Sequence, residues 1–129
     1  MREILFRGKS NAGGWVYGVP LEIGEYCEIC YFNSETMETE YYLVIPKTVG
    51  QYTGLTDKNG KKIFEGDIVD CWSEGVNAQG TVQQRRDGLW IIYPAWQKHI
   101  MWGLCPDEYS HTTVEVVGNV HDNPELIKI

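Results

Sequence analysis

The chain has 129 residues, a formal net charge of −7 and a hydrophobic fraction of 43%. A chain this long buries roughly two-thirds of its unfolded surface, enough for a core without metal or disulfide staples. The acidic balance argues against sequence-independent binding to DNA or RNA, which depends on Lys and Arg neutralising phosphates. No apolar run approaches the ~20 residues that span a bilayer, and the opening MREILFRGK lacks the apolar core of a secretion signal. The expectation is a cytoplasmic protein, with its four cysteines held as thiols.

Five Trp, eight Tyr and 14 Gly lean towards β structure. Glu3 to Arg7 reads as a short strand. It is followed by a Gly-rich turn over Gly8 to Gly14 and a second strand over Trp15 to Gly18, with Pro20 as a break. Tyr26 to Phe32 is a strand and Asn33 to Glu40 a loop. Tyr41 to Ile45 is a strand ended by Pro46, which starts one helical turn. No Lys or Arg stands between Lys9 and Lys47, whereas Glu22, Glu25, Glu28, Glu35, Glu38 and Glu40 do. The simplest account is a solvated acidic face; the alternative is a surface for a basic partner or a mimic of nucleic-acid charge.

Gly50 to Val69 organises the chain. Tyr52 to Leu55 and Lys61 to Phe64 form a hairpin around Asp57-Lys58-Asn59-Gly60, because Asn and Gly tolerate the positive φ of tight turns. Glu65-Gly66-Asp67 then re-aims the backbone into a strand over Ile68 to Trp72. Ser73 to Ala78 reads as a loop, Gln79 to Arg86 as a strand and Asp87-Gly88 as a hairpin turn. Leu89 to Tyr93 is apolar on both faces and so reads as a buried strand. Strands over His99 to Leu104 and Thr112 to Val117 follow, then a helical turn with Asn123 as N-cap and Pro124 at its first position. The reading is a mainly β protein with little helix. Residues 1–65 supply N-terminal β-hairpins, and residues 66–129 a small SH3-like barrel, the two making one compact unit.

The opening block with Trp15-Val16-Tyr17-Gly18, the run from Val49 through Asp57-Lys58-Asn59-Gly60 to Val69, and the closing Val114 to Val120 and Asp122 to Leu126 resemble the YopX family of phage and prophage proteins. The resemblance implies a phage or prophage origin, a mostly β fold and self-association, and it supplies no catalytic residues. Turn chemistry accounts for its signature. Gly54, Gly60, Gly66 and Gly118 suit positive φ or close approach. Asn59, Asp67, Asn123 and Pro124 suit turns and caps.

The candidate chemistries are sparse. Cys27-Glu28-Ile29-Cys30 invites a zinc or redox reading, but residues three apart on a strand face opposite sides, and Cys71 and Cys105 form no second pair. An EF-hand needs Gly at loop position six and Glu at twelve; counted from Asp57 these are Lys62 and Ile68. Glu65 and Asp67 share a strand-face spacing. Cys105 and His111 could serve as nucleophile and base but lack an orienting third group. Trp96, after Pro94, is the best candidate for an exposed aromatic, and Arg85 and Arg86 could give it a basic neighbour. The reading is therefore a protein without catalytic residues, metal or cofactor. It self-associates and binds an unidentified host or phage protein, with no membrane role. The alternative is a nucleic-acid-associated barrel using Arg85, Arg86 and Trp96.

Overall fold

The computed structural model describes residues 4–23, 25–73, 75–93 and 102–126. Its strands are β1 (Phe6–Lys9), β2 (Trp15–Ile23), β3 (Tyr26–Asn33), β4 (Glu38–Val44), β5 (Gly50–Thr56), β6 (Lys62–Phe64), β7 (Asp67–Ser73), β8 (Val76–Gln84), β9 (Trp90–Tyr93), β10 (Trp102–Gly103) and β11 (Glu115–Asn119). Single 3-10 turns at Pro46–Thr48 and Pro124–Leu126 are the only helical segments among the described residues. None is long and apolar enough to cross a membrane. The chain divides into two compact units, Met1–Tyr52 and Thr53–Ile129. The boundary between them runs through β5, so the Asp57–Gly60 turn and β6 fall in the second unit.

In the first unit β1 to β4 form an antiparallel meander, and the opening residues of β5 flank β1 through Phe6↔Gln51 and Arg7↔Gly50. The end of β4 returns to β1, where Ser10 bridges Val44 and the Ile45 amide donates to the Lys9 carbonyl. The sheet therefore curls. Its inner face buries Cys27, Ile29 and Val44, with Phe6, Val16 and Val49 packed around them. Each such aliphatic contributes on the order of 1.5–3 kcal/mol of burial. Gly18 is required here, since a Cβ would lie 2.2 Å from the Cys30 carbonyl oxygen. Pro20 does not end its strand as expected. β1 pairs with β2 only as far as Gly18, so the missing N–H of Pro20 falls where β2 has an open edge.

In the second unit the strand order is β10-β9-β8-β7-β11, all antiparallel, with β10 and β11 at the edges. Ile63, Val69, Val82, Trp90, Ile92, Leu104 and Val114 fill its core. The loop expected over Ser73 to Ala78 contracts to a turn at Gly75, whose φ of 82° only Gly adopts without strain, and β8 takes up Val76 to Ala78.

Candidate functional site

The most densely hydrogen-bonded constellation among the described residues is the family-like signature itself, in the second unit. The Asp57 carboxylate is 2% exposed and accepts three backbone amides. Its Oδ1 takes Asn59 and Lys61, each at 2.9 Å, which shapes the hairpin turn. Its Oδ2 takes Val116 of β11 at 3.1 Å. The Lys58 amide donates to the Val114 carbonyl at 2.8 Å. The turn is thus clipped to β11 by charge-assisted and backbone bonds together, and this ties the hairpin to the C-terminal strands. Gly60 follows with φ 81°. At Gly54 (φ 85°) the extended backbone of β5 is interrupted, and the Thr53 hydroxyl beside it bonds across to β6. It donates to the Ile63 carbonyl at 2.8 Å and accepts the Leu55 amide at 3.1 Å.

The acidic corner does equivalent work. Asp67 Oδ2 accepts the Phe64 amide at 2.8 Å. Gly66 (φ 90°) donates to the Val82 carbonyl and accepts the Val120 amide, each at 2.9 Å. Asp67 lies opposite Asn119 in the β7–β11 ladder, which brings the middle and closing blocks of the signature together. Glu65 is exposed while Asp67 is buried, so the two do not form a facing carboxylate pair. Gly118 sits so close to Asn123 that a Cβ would lie 2.5 Å from its side-chain oxygen. Asn123 does not cap the last turn with its side chain as expected. Its Oδ1 accepts the Asn119 amide at 3.3 Å, and its backbone carbonyl accepts from Leu126 as Pro124 begins the turn.

The thiols are dispersed. Cys27 faces the inner side of β3 with Ile29, and Cys30 the opposite side. Burial, then the charges of Glu22 and Glu28, pushes the Cys27 thiol up. Burial, then Asp70, pushes the Cys71 thiol up to about 11. Cys71 and the exposed Cys105 both line a cleft of about 480 Å³ with Trp72, Trp102 and Val114, which is within the size range of ligand pockets. His111 is not part of that lining; its Nδ1 is hydrogen-bonded to the Thr56 hydroxyl. Asp107 accepts the Tyr109 and His111 amides at 2.8 and 3.0 Å, and these bonds hold its carboxyl below the ordinary range.

Arg85 and Arg86 are exposed on the β8–β9 hairpin, but Arg85 forms an ion pair at 3.0 Å with Asp87 of the same turn. Trp96 lies outside the described residues. The described tryptophan that does reach solvent is Trp72, at 61% exposure; its place at the end of an apolar strand gave no sign of this.

Sequence reasoning also missed the outer face of the first unit. The register puts Tyr17, Val19 and Leu21 of β2, Phe32 of β3, and Tyr41 and Leu43 of β4 on the side opposite Ile29. All six are between 41% and 57% exposed. Alternation of apolar residues marks a face but not whether anything covers it.

These features define a mainly β protein of antiparallel sheets in which the residues of the signature bend and clip those sheets. The chain belongs to the YopX family, whose model, described as YopX protein, matches residues 18–128. Among solved structures it is similar to protein EF1440 from Enterococcus faecalis, at 18% identity and a TM-score of 0.51, over 99% of this chain and 100% of that one. No curated protein matches it.

Proposed function

We propose that this protein is a non-catalytic interaction module that self-associates through the outer face of its first unit. The observation that carries this is the row of six exposed apolar side chains on β2, β3 and β4. With aromatic side chains contributing ~150–250 Å² each when fully exposed, the six together present on the order of 600 Å². Two such faces bury about 1,200 Å², the lower bound for a stable specific interface. Patches of this size on a monomer are uncommon unless they are used.

Face-to-face packing is favoured over pairing of the β4 edges. A two-fold antiparallel edge contact centred on Thr39 would set Glu38 against Glu40 of the second copy, and like charges opposed across strands are destabilising. The three backbone amides held by Asp57, and the burial of Asp67 with its bond to the Phe64 amide, support the non-catalytic reading. The five-stranded sheet of the second unit is read as SH3-like, on the meander from β7 to β10 and the return of β11 to β7. A phage or prophage setting, with a host or phage protein as further partner, accords with the family. Light scattering on the purified chain over a wide concentration range tests self-association: the mass should rise towards twice the monomer, and a constant monomer mass excludes it.

A further inference from the structure

The first unit also contains a groove of about 470 Å³ beside the turn between β2 and β3. Phe6, Pro20, Pro46 and Val49 give it an apolar lining, and Phe6 and Val49 are only partly covered by the core behind them. Tyr26, 67% exposed, stands at its lip. Glu22 and Glu25 are the charged groups of the lining. Both are exposed, and among the described residues neither has an ion-pair partner. Lys47 follows Pro46 but is not part of the lining. Among the described residues no three potential ligands gather to hold a metal ion.

We infer that this groove docks a partner segment that alternates apolar and basic residues, with a Lys or Arg held at Glu22 and Glu25. The lining excludes the other classes of occupant. A polyanion would meet two carboxylates and no cation within the groove, and a wholly apolar segment would leave both charges unused at its rim. A guanidinium or ammonium gains from both carboxylates and from the face of Tyr26. The flanking apolar side chains fill the Phe6–Val49 floor. Proline at two points of the wall keeps the groove open without ordering cost. This site is on the inner side of the curled sheet and does not depend on the self-association face.

The test is fluorescence anisotropy of a labelled Leu-Arg-Leu-Arg-Leu peptide against the full-length protein at low salt. Saturable binding is expected. It should weaken about tenfold when Glu22→Gln is combined with Glu25→Gln, given up to ~1 kcal/mol for each partly exposed ion pair. It should be unaffected by Glu35→Gln with Glu38→Gln, which removes the same charge from the β3–β4 hairpin. The mass of the Glu22/Glu25 variant by light scattering should match that of the unaltered protein, which separates this site from self-association. Absence of saturable binding, equal weakening by both double variants, or equal affinity for a Leu-Glu-Leu-Glu-Leu peptide would overturn the assignment.

Discussion

Asp57 and Val116 are 59 residues apart in the chain and joined by a 3.1 Å hydrogen bond from the Val116 amide to Asp57 Oδ2. Because Asp57 also holds the Asn59 and Lys61 amides, Asp57→Ala leaves three donors without their acceptor. The expected cost is about 3–5 kcal/mol, each donor falling in the lower part of the ~1–3 kcal/mol range for an unsatisfied group because all three bonds are only part-buried. Asp57→Asn keeps one acceptor oxygen but turns an NH₂ towards a donor, and should cost about 1–2 kcal/mol. Urea unfolding of the two variants checks the order. Equal stability of all three proteins would show that the clip contributes nothing.

Gly118 and Asn123 form a second test of the same idea. In Gly118→Ala the new Cβ falls 2.5 Å from Asn123 Oδ1, so about 1–3 kcal/mol of overpacking strain is expected. Truncating the neighbour as Asn123→Gly gives the methyl room. The double variant should therefore be less destabilised than the sum of the singles, by ~0.5 kcal/mol or more in a thermodynamic cycle. Strict additivity would mean the two residues are not in contact.

Among the groups that shape the pH response, Cys71 and Asp107 act at opposite ends of the range, with Cys27 adding to the alkaline side. The folded-state Cys71 thiol is raised from 9.0 to about 11, so its stabilising effect is complete below pH 9 and is lost as pH rises towards 11. Cys71→Ala should flatten that alkaline decline in urea midpoint. Asp107 is lowered instead, so its contribution is present above its ordinary value of 3.8 and disappears as pH falls through the lower folded value. Amide exchange at Tyr109 and His111 should quicken there before the core opens. A thiol reagent at neutral pH should label the exposed Cys105 ahead of the buried Cys71.

Glu28 interrupts the apolar outer face, lying between Leu21 on β2 and Leu43 on β4. Association buries its carboxylate, which opposes dimer formation. Glu28→Gln should tighten self-association several-fold, on the order of 1 kcal/mol. Sedimentation velocity across a dilution series measures it. Unchanged or weaker association would place the contact elsewhere.

What the sequence revealed was local. Asn59-Gly60 and Asp87-Gly88 located their hairpins, but each turn spans three residues rather than two, with only the Gly at positive φ. The inward and outward sides of Cys27 and Cys30 followed from strand alternation alone. The third bond of Asp57 was hidden, because it reaches a residue more than fifty positions away that no turn rule names. The bond from the Lys58 amide to the Val114 carbonyl was hidden for the same reason. Pro20 was misleading: the penalty for a missing N–H depends on whether a neighbouring strand needs it, and that is a property of the sheet. The groove at Glu22 and Glu25 and the exposed face with Tyr41 depend on register and curl, neither of which a single strand encodes.

The most direct test of the account is sedimentation equilibrium on the unaltered protein and on a Val19→Glu, Tyr41→Glu variant. Both substitutions lie on the outer face and away from the core, so the two proteins should melt alike. The account predicts a concentration-dependent dimer for the first and a monomer for the second. Monomers in both cases, or the same oligomer in both, would contradict it.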